Sequence, residues 1–377
     1  MKRIDAKDAA WPSQGLETLG ACPVCGHAGR EAQLTDLRDL VFGISPGAWT
    51  LWRCPVCGAG YLDPRPDRAT IGQAYAGYYT QESALTPGRV SAARTRWLAR
   101  RNTYLNRRWG YSLTPTLTGP VRLSAAQRRR ADRVVRSLPA ARAGGRLLDV
   151  GCGNGAWLDL MRSAGWEVWG VEPDAQSAAR AAELGLSIAP DLLTAPFPDQ
   201  YFDAITLNHV IEHLHDPCAA LGHCQALLKP GGHLWIATPN LDALGRVRFG
   251  PAWRGLETPR HLVLFTASSL RGILAAVGFE SIELLPPTDP ARGMFLESAR
   301  IARAAAGGDR RPNWLDRTRT KWLAWRADRR VGRDPGGAEE LIVIASRPPL
   351  CATGVADDGR QPHTSAPAAH RFDSDET

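Results

Sequence analysis

The sequence predicts an α/β fold with a mainly parallel sheet, and three observations support this fold class. From Arg146 onward, short apolar segments alternate with helical segments that start at capping residues and stop at glycine. The first apolar segment runs directly into a glycine-rich turn at 151–155. The segments between successive strands contain helices, and such crossover connections place parallel strands in one sheet with helices on both faces.

The composition is that of a globular protein. The chain has 377 residues, 44% of them hydrophobic, and a formal net charge of +8. This length allows about two or three domains, and the apolar fraction allows a buried core, which excludes wholesale disorder. No run reaches the roughly 18–20 apolar residues that a membrane span needs. Asp5 and Asp8 stand where a signal peptide needs an apolar stretch, so we expect a cytoplasmic protein.

Two Cys-Pro-Val-Cys-Gly segments predict a structural zinc site near the start of the chain. Eight cysteines are too few for a disulfide scaffold in a chain of this length. Two such turns can bring four thiolates to one tetrahedral Zn²⁺, each at about 2.3 Å, and a closed four-sulfur site is structural. A redox pair, reduced cysteines and a ligand role for His27 are alternatives. The predicted ligands are Cys22, Cys25, Cys54 and Cys57.

The positive charge is concentrated after this unit. Between Arg89 and Arg146 there are fifteen arginines, no lysine and one acid, so the segment has a net charge of 15 − 1 = +14. Its two parts at 94–109 and 124–139 have helical periodicity. We favour a solvated helical face, while the alternative is a surface for a nucleotide-linked substrate, nucleic acid or an acidic lipid surface.

The alternating region follows. Helices are predicted at 157–165 and 174–185. The predicted strands lie at 146–150, 167–172, 187–191, 202–208, 232–239, 279–285 and 339–346. Between 288 and 335 three tryptophans stand among arginines, which predicts a helical insertion. After Pro348 the apolar content falls and we expect disorder.

The turn after the first strand is the strongest functional signal. Three spaced glycines let the backbone turn tightly and approach a ligand closely. Glu172 ends the next strand, and a carboxylate there can bind ribose hydroxyls. The spacing Gly151-x-Gly153-x-x-Ala156 also satisfies a dinucleotide fingerprint. Asp149 ahead of the loop would repel a pyrophosphate, and it suits a ligand with a cationic amino group such as S-adenosylmethionine.

Several segments in order carry a family resemblance. They are LLDVGCGNGAWL, VWGVEPD, APFPDQYFDAITLNHVIEHLHDP, LLKPGGHLWIATPN, GFESIEL and EELIVIASRP. Together they cover about half the chain and resemble class I S-adenosylmethionine-dependent methyltransferases. The resemblance implies a Rossmann-like seven-stranded sheet whose last strand is antiparallel.

The resemblance also implies roles by position. The loop and Asp149 would hold the methionine part of the cofactor, Glu172 the ribose, and the residues after the third strand the adenine. The end of the fourth strand would face the methyl-transfer site. The implied cofactor-binding residues are Asp149, Gly151, Cys152, Gly153, Gly155, Glu172, Pro173, Asp191, Leu192 and Asn208.

Histidines supply the candidate catalytic groups. His209-x-x-Glu212-His213 matches a zinc-peptidase pattern, which we reject because it begins at the end of a strand. Ubiquinone-pathway O-methyltransferases carry Glu-x-x-Glu-His here, and His209 in place of the first Glu argues against a hard-cation site. His261 is the best candidate for a general base, because it lies after the fifth strand, where the family places substrate-facing loops. The chain also resembles methyltransferases with an N-terminal zinc module, including C-methyltransferases of nucleotide-linked sugars, which have a Pro-Arg-His segment here. The alternative is a capping or packing histidine. Glu257 and Arg260 could orient His261 or bind an anionic substrate.

We therefore expect a methyltransferase that acts on a small-molecule acceptor, which is anionic or linked to a sugar or nucleotide. The alternatives are a nucleic-acid methyltransferase or binding module, with nucleic acid not favoured as a partner, and an NAD-dependent oxidoreductase. Tryptophans of the cap would wall the acceptor site. The expected segments are a leader at 1–20, a zinc ribbon at 21–65, a helical cap at 66–142, the methyltransferase core at 143–287, a helical insertion at 288–335, a final core strand at 336–349 and a disordered tail at 350–377.

Overall fold

The N-terminal unit is a small antiparallel sheet. The structure, a computed structural model, describes residues 10–75, 91–287, 291–308, 313–332 and 335–349. Residues 1–9 of the expected leader, the whole of the expected tail and parts of the cap segment and the helical insertion therefore lie outside the described residues. In the N-terminal unit, β2 pairs with β3 and β3 with β4, while β1 pairs with β5. The strands are β1 (Leu16–Glu17), β2 (Glu31–Leu37), β3 (Trp49–Arg53), β4 (Gly60–Leu62) and β5 (Arg65–Pro66).

The main sheet has seven strands. Its order is β12-β13-β10-β9-β6-β7-β8, and β13 runs antiparallel to both neighbours. This confirms the predicted seven-stranded sheet and its antiparallel last strand. The strands after β5 are β6 (Arg146–Val150), β7 (Glu167–Val171), β8 (Ser187–Ala189), β9 (Phe202–Asn208), β10 (Leu228–Pro239), β11 (Val263–Leu264), β12 (Glu280–Leu285) and β13 (Glu340–Ser346).

The helices begin at the residues that the sequence marks as caps. Ser124 and Asp174 accept hydrogen bonds from backbone amides one turn into their helices. None of the described helices is both long and apolar enough to cross a membrane. The helices are α1 (Ala92–Trp109), α2 (Ala125–Val134), α3 (Ala156–Ser163), α4 (Ala175–Glu183), α5 (Pro217–Leu227), α6 (Leu244–Phe249), α7 (Ala267–Val277), α8 (Arg292–Ala305) and α9 (Trp314–Val331).

The core lies on both faces of the seven-stranded sheet. In β6, Leu148 and Val150 pack with the α5–α7 side, and Leu147 packs with α1 and α2. All three are buried, because β6 lies between β7 and β9 near the centre of the sheet. Burying one such side chain stabilises the fold by about 1.5–3 kcal/mol. The two apolar layers thereby fix the carboxyl ends of β6, β7 and β9 at one edge.

The N-terminal sheet is joined to the main domain by a strand that the sequence does not reveal. β11, which lies after β10 in the chain, pairs antiparallel with β4. The amide of Leu62 also donates to the carbonyl of Leu262 at 3.0 Å. The cysteine-bearing unit therefore shares a four-stranded sheet with the segment that follows His261.

Candidate functional site

The glycine loop forms a tight turn at the carboxyl end of β6. Gly151, Gly153 and Gly155 all have positive φ, which glycine adopts without steric cost. A Cβ at Gly151 would stand 2.5 Å from a methyl carbon of Val210, so no larger residue fits there. The loop closes on β7, since the amide of Gly151 donates to the Val171 carbonyl at 2.7 Å. This geometry brings the backbone up to a ligand above the strand ends.

Glu172 lies beside the loop. One carboxylate oxygen accepts from the Gly153 amide at 2.8 Å and the other from the Asp174 amide at 2.9 Å. Burial raises the pKa of Glu172 above its usual value, although both amide bonds oppose the shift. Two fixed backbone donors therefore hold the carboxylate in one orientation at the end of β7, where a ribose would bind.

The structure places Arg136 directly on Asp149, which the sequence did not predict. The guanidinium pairs with the Asp149 carboxylate through Nη1, which also donates to Thr206 at 2.5 Å. It stacks on the Trp157 ring, with 3.4 Å between the guanidinium carbon and the ring centroid. Arg136 has positive φ, so the chain turns back over β6 after α2. Asp149 alone therefore does not present a free carboxylate to a cationic amino group.

The remaining predicted cofactor-binding residues lie along the same edge. Leu192 is buried, and Asp191 accepts from the amides of Leu193 and Thr194, each at 3.0 Å. Pro173 directly follows Glu172. Burial raises the pKa of Cys152 to about 12, so this residue stays a thiol in the loop.

A second polar group lies at the end of β9. Arg133 donates to the side chain of Asn208 at 2.9 Å and to Glu340 at 2.8 Å. His209 has positive φ and lies between Glu212 at 3.2 Å and Glu340 at 2.8 Å. Burial opposes its charged form, but the two carboxylates outweigh burial and raise the pKa of His209 to about 10. Carboxylates thus contact both ring nitrogens of His209, which favours its charged form.

Beside Arg133 there is a cavity of about 230 Å³. Its apolar lining includes Trp109, Trp235 and Ile342. Its polar lining consists of three arginines, two carboxylates and a serine, namely Arg108, Arg129, Arg133, Asp132, Glu283 and Ser137. Nη1 of Arg133 is buried and has no hydrogen-bond partner within the described ranges. A buried donor without a partner costs about 1–3 kcal/mol. Such a group is suited to an anionic ligand.

Glu212, His213 and His261 form a compact cluster. One ligand atom from each lies within 4.8 Å of the others. The Nδ1 atoms of His213 and His261 contact the carbonyls of Arg260 at 3.1 Å and Gly255 at 2.8 Å. These contacts leave Nε2 of each ring for other partners. One carboxylate and two imidazoles could hold a divalent cation of borderline softness or move a proton.

The burial of His261 makes it a weak base. It is nearly enclosed, and burial, assisted by the nearby His213, lowers its pKa well below the usual value. His213 is only half-buried, and its Nδ1 is also 2.9 Å from the Tyr75 hydroxyl. His213 is therefore the more accessible of the two rings.

Two neighbours of His261 have structural contacts. Arg260 is fully buried and pairs with Asp39 at 2.7 Å. Glu257 pairs with Arg254. The expectation that Arg260 binds an anionic substrate is therefore wrong, because its guanidinium is enclosed against Asp39.

The four cysteines converge as predicted. The Sγ atoms of Cys22 and Cys57 are 3.7 Å apart and those of Cys25 and Cys54 are 3.5 Å apart. These distances are too long for disulfides and match the separation of about 3.8 Å between sulfurs of a tetrahedral zinc site. Burial works against ionisation, but amide donors from the turn outweigh it and lower the pKa of Cys54 to about 7. The site fits Zn²⁺.

The tryptophans expected to wall the acceptor site are divided: Trp109 of the cap segment lines the cavity beside Arg133, whereas those on α9 do not. Trp314, Trp322 and Trp325 lie on α9, and all three are exposed. They point away from the residues that α9 packs against, so they do not wall an acceptor site in this structure.

Comparisons with known proteins agree with the site geometry. A family model described as "Methyltransferase domain" matches residues 123–284, which include the glycine loop and Glu172. A "Probable S-adenosylmethionine-dependent methyltransferase" of Mycolicibacterium smegmatis is 29% identical over 236 residues, which cover 58% of this chain and 88% of that protein.

Two further matches are narrower. A ubiquinone biosynthesis O-methyltransferase of Xanthomonas campestris pv. campestris is 38% identical over 106 residues, 26% of this chain, and the chain spans 44% of that relative's length. A solved S-adenosylmethionine-dependent methyltransferase from Archaeoglobus fulgidus aligns over 59% of this chain and 95% of that chain, with 20% identity and a TM-score of 0.39. At this score the structural likeness carries no argument.

The family match spans the strands and the loop whose geometry suits a sulfonium nucleoside. The relative from Mycolicibacterium smegmatis aligns over 88% of its own length, and its name describes a probable S-adenosylmethionine-dependent methyltransferase. Residues 123–284 of the chain therefore match a methyltransferase domain, and the chain is similar to S-adenosylmethionine-dependent methyltransferases.

Proposed function

We propose that the enzyme methylates a small anionic acceptor that binds beside Arg133. The supporting observation is the buried Nη1 of Arg133, which has no partner among the described residues and lies at a cavity of about 230 Å³. This volume suits a small molecule. Arg133 also donates to Asn208 at the end of β9, where the resemblance places the methyl-transfer site.

Arg136 is our candidate for binding the cofactor's carboxylate. Its Nη1 is used by Asp149 and Thr206, and Nε and Nη2 have no hydrogen-bond partner in the described ranges. A guanidinium in this place can bind the methionine carboxylate through a charge-assisted pair. Asp149 then acts through Arg136 by holding it, and Glu172 binds the ribose.

Proton transfer from the acceptor is assigned to His213 in this proposal. His213 does not line the cavity beside Arg133, so the assignment requires the acceptor hydroxyl to extend from that cavity to the His213 ring. Methyl transfer from a sulfonium needs alignment of donor and acceptor more than covalent help, but a hydroxyl acceptor must lose a proton. His213 is more accessible than His261, and a carboxylate oxygen of the buried Glu212 lies within 4.8 Å of a ring nitrogen of His213. His261 packs edge-on against His213, with 4.7 Å between ring centroids, and positions it.

The four cysteines would hold one structural Zn²⁺. Zinc would crosslink the turns that begin at Cys22 and Cys54, and it would supply no chemistry to the reaction. The supporting observations are the two sulfur–sulfur distances and the paired glycine turns. We place the boundaries of the zinc-binding unit at 21–65, with β11 as an added strand.

The acceptor proposal is tested by charge selectivity. Hydroxylated aromatic carboxylates, nucleotide-linked sugars and uncharged analogues would be compared by S-adenosylhomocysteine release. Arg133→Gln should raise KM for anionic acceptors about tenfold or more and leave uncharged analogues unchanged, because one charge-assisted hydrogen bond is lost. Arg107→Gln on the exposed face of α1 is the matched control. Equal effects of Arg133→Gln on charged and uncharged acceptors would contradict the proposal.

A further inference from the structure

Helix α9 has an outward apolar face that the methyltransferase function does not use. Eight large apolar side chains are exposed in the described part of the chain, and four of them lie on α9. They are Trp314 (71% exposed), Leu315 (58%), Trp322 (51%) and Trp325 (51%). A fifth, Val247, lies on α6, which packs near α9 across α8. Isolated exposed apolar groups are ordinary, whereas a cluster of this kind marks an interaction surface.

Helical geometry places these four side chains on one stripe. At about 100° per residue, Trp325, Trp322 and Leu315 lie about 20°, 80° and 100° from Trp314 around the axis. The opposite side of the helix packs into the protein. Its buried residues are Thr320, Ala324, Ala327 and Val331. α9 is therefore apolar on two opposite faces, and only one of them is covered.

Cations lie on both edges of the exposed stripe. Asp316 pairs with Arg303 on α8 and Asp328 accepts from the Ala291 amide, so both acids of α9 face inward. The cations of α9 are Arg317, Lys321, Arg319, Arg326, Arg329 and Arg330. Arg326 and Arg329 stack on Trp322 and Trp325, at 4.8 and 4.9 Å from the ring centroids. Five of these cations flank the stripe, and Arg329, about 60° from Trp314 around the axis, lies within it.

A groove of about 590 Å³ continues this surface toward α6. Leu244, Phe295 and Leu323 supply its apolar lining. Its cationic lining is Arg248, Arg326, Arg329 and Arg330. None of these four arginines forms a salt bridge with a residue that the structure describes. The groove thus offers an apolar floor and an unneutralised cationic rim.

We propose that α9 and the groove bind the surface of an anionic phospholipid bilayer. Tryptophan prefers the boundary between acyl chains and headgroups, and lysine and arginine reach outward to the phosphates. The helix would lie flat in the membrane plane along about 27 Å, with its tryptophan stripe toward the acyl chains. Its charge pattern complements a leaflet that carries anionic lipids.

The apolar part of the surface favours a bilayer over a nucleic acid. Nucleic acids also pair with cations and stack on aromatic rings. However, Leu315 and Val247 are aliphatic, and the apolar floor of the groove is recessed. Neither offers an exposed flat ring on which a base could stack. Acyl chains would cover them.

Vesicle flotation with the full chain tests the proposal. The probes are vesicles of phosphatidylcholine alone and of phosphatidylcholine with phosphatidylglycerol in equal amounts. We expect the protein to float with the anionic vesicles and to release them as salt is raised. Trp314→Ser/Trp322→Ser should lower partitioning about tenfold or more. Arg326→Glu/Arg330→Glu should lower it about a hundredfold or more.

Controls separate this surface from other causes. Arg271→Glu on the exposed side of α7 changes one charge and should reduce partitioning less than about tenfold. Each variant should bind S-adenosylhomocysteine like the unaltered chain, which shows that it is folded. No flotation at low salt overturns the proposal, and so does flotation that the α9 variants leave unchanged. Binding to generic duplex DNA but not to vesicles, lost in the same variants, would assign the surface to nucleic acid instead.

Discussion

Replacing Arg136 by methionine tests the proposed cofactor site. The change keeps the long apolar stem that packs on Trp157 and removes the guanidinium. Asp149 is then left buried with Thr206 as its remaining side-chain partner, at 2.9 Å. We expect a loss of affinity for S-adenosylhomocysteine, because the ligand's carboxylate would lose the guanidinium proposed to bind it.

The magnitude follows from the type of contact. A hydrogen bond to a charged group contributes about 1.5–3 kcal/mol, which corresponds to a rise in Kd of about 10- to 150-fold. Removing one partner of a buried ion pair also destabilises a fold by about 3–5 kcal/mol. Calorimetry gives the Kd, and urea denaturation gives the change in stability. The double change Arg136→Met/Asp149→Asn should recover part of the stability, because it removes the uncompensated charge.

A second ligand separates binding from folding. Methylthioadenosine has the nucleoside but no amino-acid part, so Arg136→Met should leave its Kd nearly unchanged. Arg142→Met, at an exposed arginine six positions later, is the control. If both ligands weaken equally, Arg136 acts only by supporting the loop. If neither weakens, the assignment of Arg136 to the cofactor is wrong.

Four other changes follow from the structure. Cys54→Ser should reduce bound zinc from about one equivalent to well below half by metal analysis, whereas Cys218→Ser should not, and equal zinc in both would count against the site. His213→Asn should lower kcat about 100-fold or more at an unchanged Kd for S-adenosylhomocysteine, and an unchanged kcat would remove it as the base. The pKa of His209 is raised in the folded state to about 10, so its contribution to stability is complete below about pH 6.5 and is lost as the pH rises to about 10. The free energy of unfolding should be lower for His209→Asn than for the unaltered chain at low pH, and this difference, measured by denaturation, should shrink as the pH rises to about 10. A difference that grew with pH would contradict the ion pairs. Gly151→Ala should abolish cofactor binding, because the new Cβ meets Val210 and the residue needs a positive φ, and calorimetry would show it.

Local patterns predicted the sheet well. Strand β9 has the limits expected from its apolar run, and Asp174 begins α4 as a capping residue. The reason is that hydrophobic periodicity, helix capping and glycine turns each depend on residues that are only a few positions apart in the sequence. The convergence of the four cysteines was predictable for the same reason, since each pair lies in one local turn.

Long-range contacts could not be predicted in this way. Arg136 is one of fifteen arginines between Arg89 and Arg146, and only the packing of its turn over β6 buries it. The pairing of β11 with β4 joins segments about 200 residues apart, and two-residue strands have no readable periodicity. The outward position of the α9 tryptophans also depends on which face packs on α8, because both faces of that helix are apolar.

The contact between β4 and β11 means that the N-terminal unit is not a detachable module. A chain shortened to begin at residue 123, where the family match starts, would leave β11 with unpaired backbone groups and uncover apolar surface around Leu262. Such a fragment should aggregate rather than act as a minimal enzyme. The segment between β10 and α7 thus ties the fold of the N-terminal unit to that of the main domain.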